Sequence, residues 1–296
     1  MTPIAFVLVL ASALLHAVWS VSIKRSRDPL VFNLLQEVCV VGVAALALPF
    51  IDLSEIPTEV WRWLAITGVT HSLYFYWLSR ALEYGDITLV YPIARSTPAF
   101  LPLIAIPLFG ESISLGGGSG IVIVVAGLWL VHARSGLRPN ALTGPAARFA
   151  YLTLLSTIVY SVADKGAMAE LAQAPWSSPI PRALAYCILL SLASSVLFSI
   201  LALRRTGVAR VAAAIRTQLG PATAASINSF IGYGLILKAM ETAPASYVVA
   251  VRQISVLFVM LLGVVTLGER PGPARILGGA STVAGVILIA LYGNPT

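Results

Sequence analysis

Ala81-Leu-Glu83 and Ala239-Met-Glu241 stand 158 residues apart. The same shift carries Phe100 onto Phe258, Leu103 onto Leu261, Gly110-Glu111 onto Gly268-Glu269, Gly120 onto Gly278 and Ala126-Gly127 onto Ala284-Gly285. No gap is needed from residue 81 to residue 127, and the segments are almost wholly apolar. Duplicated hydrophobic halves are a construction common among secondary transporters, which place their site between the repeats near the bilayer midplane. Upstream the match continues at a shift of 141: Trp19-Ser-Val-Ser-Ile-Lys24 resembles Tyr160-Ser-Val-Ala-Asp-Lys165. The 17-residue difference falls between Lys165 and Lys238, and the polar, proline-containing stretch Gln173 to Arg182 is the expected place for it.

Composition sets the class. Of 296 residues, 58% are hydrophobic and 10% charged, against about 25% charged in an ordinary soluble domain. The apolar runs have the length that spans about 30 Å of hydrocarbon as a helix. Ten spans are expected, at 4–23, 30–50, 61–80, 88–109, 116–133, 149–168, 183–203, 219–238, 246–267 and 274–292. The chain is thus expected to be an all-α integral membrane protein, and no polar stretch leaves room for a soluble domain. Five spans per unit, an odd number, makes the second unit inverted relative to the first. The units are residues 1–138 and 139–296. The fourth span carries Pro92, Pro98, Pro102 and Pro107, and each proline removes a backbone donor and bends a helix. The ninth span has no proline, so the halves are expected to diverge there.

The net charge of +7 does not point to nucleic acid, because the arginines sit in short loops at the ends of apolar runs. Cys39 and Cys187 lie inside apolar runs, which argues against a disulfide framework. Ile4 to Ile23 has its basic residues after it, opposite to a cleaved signal, and is expected to be retained as the first helix. Lys24, Arg25, Arg27, Arg134, Arg138, Arg148, Arg204, Arg205, Arg210, Arg216, Arg270 and Arg275 all fall on one side of the ten-span arrangement. The positive-inside rule then puts that side in the cytoplasm and both termini outside.

The duplicated ten-span layout resembles the drug/metabolite transporter superfamily in its EamA type. The residues that carry the likeness are Trp19 and Lys24, Tyr160 and Lys165, Gly110-Glu111 and Gly268-Glu269. The resemblance covers essentially the whole chain. It implies a carrier in the cell membrane, the inner membrane if the source is Gram-negative, that alternates access for a small metabolite such as an amino acid or sugar, often as an exporter. It also implies both termini in the cytoplasm, in conflict with the charge distribution.

Polar groups inside spans are functional candidates by default. Arg95 in the fourth span and Arg252 in the ninth sit at similar depths, and the 158 shift puts Arg252 one residue from Arg95. In an inverted arrangement they approach one cavity from opposite sides, where two guanidiniums favour an anionic group such as a carboxylate. Alternatively each arginine satisfies an acid or a broken helix. The acids available are Glu37 and Asp164, which are also the candidates for coupling to an ion. His16 with Trp19, His71 with Tyr74, and Tyr91 with Arg95 each share a helix face and are expected to line a ligand pocket, or else to be packing groups. Asn228 in the eighth span is a further binding candidate, or a bond to another helix. Glu111 and Glu269, at span ends, are expected to stabilise helix N-termini. Gly116 with Gly120, and Gly278 with Thr282, form small-residue faces for close packing between the fifth and tenth spans, or across a homodimer.

A secondary carrier of small metabolites is the favoured function. The alternatives are a membrane-embedded lipid-modifying enzyme, a flippase-like protein or a channel. His16, His71 and His132 lie on separate spans, so no metal site is expected. Gly116-Gly-Gly-Ser-Gly120 lacks the Lys-Ser/Thr of a phosphate loop, and no nucleotide or other cofactor is expected.

Overall fold

The computed structural model describes residues 1–26, 28–132, 142–267 and 271–293. Within them the chain is helical, with no strand: α1 (Pro3–Arg25), α2 (Pro29–Ala47), α3 (Thr58–Tyr84), α4 (Ile87–Ala94), α5 (Thr97–Phe109), α6 (Leu115–His132), α7 (Pro145–Gln173), α8 (Arg182–Thr206), α9 (Val208–Met240), α10 (Ala245–Arg252), α11 (Ser255–Leu267) and α12 (Pro273–Tyr292). Gly268-Glu269, Arg27, Arg134, Arg138 and Arg270 lie outside the described residues, as do the side chains of Lys24 and Arg25.

Local sequence explains the ends. α1, α2, α7 and α12 start on proline, whose missing N–H is an orphan at that position in any case. Thr2 accepts from the Ala5 N–H, and Asp28 from those of Leu30 and Val31. Gly110 at φ 64° ends α5 and Gly207 at φ 75° separates α8 from α9. Those are left-handed backbone values that a side chain disfavours.

Among the described residues eight stretches are long and apolar enough to cross a membrane: Pro3–Ile23, Pro29–Phe50, Thr88–Phe109, Leu115–His132, Pro145–Gln173, Arg182–Thr206, Ala245–Val265 and Pro273–Tyr292. The protein is a multi-pass membrane protein. The other two expected spans fall on α3 and α9, which are 27 and 33 residues long but more polar. Outward apolar side chains such as Leu46, Leu103 and Leu115 suit a lipid environment.

The fourth expected span is broken between α4 and α5, as its prolines imply. Ser96 Oγ donates to the Pro92 carbonyl at 2.5 Å and accepts from Trp129 Nε1 at 3.0 Å, so the break is held by side chains. The ninth is broken as well, between α10 and α11, which corrects the expectation of divergence. There Gln253 and Ile254 donate to the carbonyls of Ala250 and Val251, three residues back. A short tightened turn of this kind interrupts a helix without proline.

Packing follows the exchange of halves. α1 packs on α9 as α7 packs on α3, and α2 packs on α9 as α8 packs on α3. α2 meets α8 and α6 meets α12. Local contacts recur too: Arg80 pairs with Glu83 and its equivalent Lys238 with Glu241, both at 2.6 Å. The insertion in the second half is spread over the last turns of α7, the following loop and the first turn of α8, not confined to Gln173–Arg182. Between α6 and α12 the backbones touch. A Cβ on Gly127 would lie 2.7 Å from the Gly278 carbonyl oxygen, and one on Gly285 2.6 Å from that of Gly120. The small-residue faces are therefore used within the chain. Glu111 accepts from the N–H groups of Ala245 (2.5 Å) and Ser246 (3.3 Å), so it stabilises the N-terminus of α10, in the other half.

Candidate functional site

A cavity of about 140 Å³ lies where the two helix breaks meet, walled by α1, α2, α3, α7, α8 and α9. Its lining pairs off under the sequence shifts: His16 with Thr157, Trp19 with Tyr160, His71 with Ser229, and Thr97 with Ser255. Positions that are equivalent in the two halves thus face one space.

Arg95 and Arg252 both line it. Arg95 caps the end of α4; Nη1 donates to Ser255 Oγ at 3.2 Å and Nη2 to His16 Nε2 at 3.2 Å. Its guanidinium carbon lies 5.0 Å from the centroid of the Tyr91 ring. Arg252 ends α10 and lies over Tyr233 at 5.5 Å. Among the described residues neither arginine has a carboxylate oxygen within 4.0 Å, so neither makes a direct salt bridge with Glu37 or Asp164, although the charge of Arg252 is felt at Asp164. Two arginines at one cavity, each facing an aromatic ring and neither in a direct salt bridge among the described residues, favour an anionic group.

The remaining candidates sort into wall and frame. His16 stacks on Trp19 with centroids 5.0 Å apart, and Trp19 Nε1 donates to Gln36 Oε1 at 2.7 Å. Gln36 is held in turn by Asn33 at 2.9 Å. His71 lines the cavity, stacked 3.9 Å from Tyr160. Glu37 lines it too and accepts a hydrogen bond from Ser195 Oγ, its own equivalent under the 158 shift. Tyr91 is not in the lining; it backs Arg95 from behind. Asn228 is not in the lining either, and Nδ2 donates to the Leu15 carbonyl at 2.5 Å, tying α9 to α1.

Asp164 is fully buried beside the cavity and does not line it. Its carboxylate accepts from Thr67 (2.7 Å), Tyr186 (3.0 Å) and Tyr233. Three hydroxyls from three helices satisfy it. Thr67 spends its proton on Asp164, which leaves it to accept from Nδ1–H of His71 at 3.1 Å. One polar network therefore joins a cavity wall to a buried acid. Among the described residues no group of three His, Cys, Asp or Glu side chains is placed to hold a metal.

Sequence reasoning passed over Thr97, Ser255, Tyr233 and Gln253 in the lining. The signal for the first two was available, because the 158 shift superposes one hydroxyl residue on the other. Nothing in spacing alone marks Tyr233.

Comparison with known proteins agrees with this architecture. A solved structure described only as "Crystal structure of protein" superposes with a TM-score of 0.69 over 97% of this chain and 96% of that one. At 20% identity that likeness concerns the fold. A Sinorhizobium sp protein described as "Uncharacterized transporter in cobO 3'region" is 28% identical over 78 residues, 26% of this chain. The match spans 55% of that relative, so the chain covers about half the length of the curated protein it matches. The sequence profile of the EamA-like transporter family matches residues 3–133 and 216–291, well over half of the chain. With a helical membrane fold and a polar cavity between its halves, the chain belongs to the EamA-like transporter family.

Proposed function

We propose that the protein is a secondary active transporter that moves a small carboxylate-bearing metabolite, such as an amino acid, by alternating access. The observation that carries this is the pair of arginines, Arg95 and Arg252, that stand at the two helix breaks of one cavity with no direct salt bridge among the described residues. Secondary transporters commonly bind substrate at discontinuous helices between repeats. Ten spans in two inverted five-helix units, residues 1–138 and 139–296, give each break the same place in its unit. The exchange of helix contacts between halves and the paired lining positions support that count. α3 and α9 are the third and eighth spans; their polar faces front the cavity and the Asp164 network.

His16, Trp19 and His71 shape the binding site with the arginines, Tyr91 holds Arg95 in place, and Asn228 fixes α9 against α1. Glu37 and Asp164 are the coupling candidates; Glu37 has direct access to the cavity and Asp164 reaches it through Thr67 and His71. The protein acts in the cell membrane without catalysis or cofactor, and the direction implied by the family is export. Loop arginines put both termini outside. A homodimer through spans 5 and 10 would use outward residues such as Leu115 and Leu291, since the glycines are occupied.

Reconstitution tests this. Proteoliposomes loaded with unlabelled amino acids and organic acids should take up a labelled one in saturable exchange. Turnover of a lipid headgroup without exchange would replace the carrier with an enzyme, and non-saturable flux would replace it with a channel.

A further inference from the structure

The two helix breaks are related by the 158-residue shift, which superposes Thr97, the first residue of α5, on Ser255, the first residue of α11. Their hydrogen bonding is not the same. Ser255 Oγ accepts from Arg95, so the hydroxyl of the second half is engaged by the arginine of the first. The corresponding contact, from Arg252 to the hydroxyl of Thr97, is not made. Instead Thr97 Oγ1 and Arg252 Nε are both buried with no hydrogen-bond partner among the described residues. Thr97 is 1% exposed. A buried polar atom without a partner costs free energy and is rare in a native structure, so two in one site call for an explanation. Both residues line the same cavity.

We propose that one oxyanion of the substrate is held between Thr97 Oγ1 and Arg252 Nε, the two groups at the helix breaks that have no hydrogen-bond partner among the described residues. This rests on the anionic-substrate reading and says which groups take the charge. Thr97 donates its hydroxyl proton and Arg252 its Nε–H, and an oxygen anion accepts from both. Arg95 is already committed to Ser255 and His16, and it contributes mainly its charge. The site is therefore asymmetric within a near-symmetric frame. A carboxylate and a phosphate share the required chemistry, an anionic oxygen with free lone pairs.

The test uses the purified full-length protein in detergent. Its melting point is followed against succinate, L-glutamate and inorganic phosphate, because a ligand that binds only the folded state raises the midpoint. At least one probe should give a saturable rise with wild type; the probe that does so separates carboxylate from phosphate. With that probe Thr97→Val should weaken half-saturation about tenfold, as a hydrogen bond to a charged group requires, and Thr97→Ser should restore it to within about twofold. Arg252→Lys keeps the charge and deletes Nε–H, and should also lose about tenfold. Unchanged half-saturation in Thr97→Val or in Arg252→Lys, with wild type still responding, overturns this assignment alone. If Thr97→Val does not fold, Thr97→Ser and Arg252→Lys decide it. No response of wild type to any probe overturns the anionic site itself, and this inference with it.

Discussion

Glu111→Ala tests how the two halves are joined. The carboxylate is 8% exposed and reaches across to α10, where it accepts from the Ala245 N–H (2.5 Å), the Ser246 N–H (3.3 Å) and the Ser246 hydroxyl (2.6 Å). Both partner residues are 0% exposed. Alanine leaves the donors at the N-terminus of α10 without an acceptor. A buried donor left unsatisfied costs about 1–3 kcal/mol. The 3.3 Å bond is weak and the serine hydroxyl can turn away, so one strong backbone loss dominates. Loss of a carboxylate at a helix N-terminus adds about 0.3–1 kcal/mol. Polar pairs in membrane proteins fall toward the low end of such ranges. The expected destabilisation is about 1.5–2.5 kcal/mol. Glu111→Gln keeps one acceptor oxygen and should lose roughly half as much. The assay is reversible unfolding in mixed micelles, titrated with denaturing detergent, and Ser246→Ala closes a double-mutant cycle. A Glu111→Ala protein within about 0.5 kcal/mol of wild type, the range of an ordinary surface change, would refute the reasoning.

Gly278→Ala would place a Cβ 2.4 Å from the Val131 nitrogen, against backbone that cannot step aside, and should destabilise by about 1–3 kcal/mol. Gly42→Ala, with nothing within 4 Å, should be neutral or gain up to about 1 kcal/mol in the same unfolding assay. Asp164→Asn presents an amide to hydroxyls that all donate, and should cost about 2–4 kcal/mol while leaving flux through the folded fraction unchanged if the acid is structural. Loss of pH-driven flux with retained exchange would make it a coupling residue instead. Outside the membrane, hydrogen bonds from Ser177 and Ser178 hold the Glu55 carboxyl below the usual carboxylate range. A depressed group stabilises above its unfolded pKa and loses that contribution as pH falls through its folded value. Protease sensitivity of the loop at 174–181 should therefore rise only in acid, and Glu55→Gln should raise it at neutral pH.

Much of the architecture was legible because membrane helices carry their signal in length and apolarity. α3 and α9 were legible as long apolar-aromatic runs even though their polar content sets them apart from the other eight stretches. The break in the ninth expected span was not legible. Proline announces the first break, whereas the second is made by turns at Gln253 and Ile254 that local sequence does not encode. At the site, the arginines stood out because charge in a membrane is costly. Helical spacing put Tyr91 on the face of Arg95 but did not tell front from back, and Tyr91 lies against the Arg95 guanidinium outside the cavity lining. Asp164 draws its donors from α3, α8 and α9, and no spacing within one helix reports such a meeting.

The most direct measurement is counterflow in proteoliposomes with wild type, Arg95→Gln and Arg252→Gln side by side. The prediction is saturable exchange of a carboxylate by wild type. Both variants should insert and fold normally and lose exchange by about tenfold or more, as removal of a charged hydrogen-bonding partner requires. Exchange at the wild-type rate by either folded variant would contradict the claim that these arginines carry the substrate's charge.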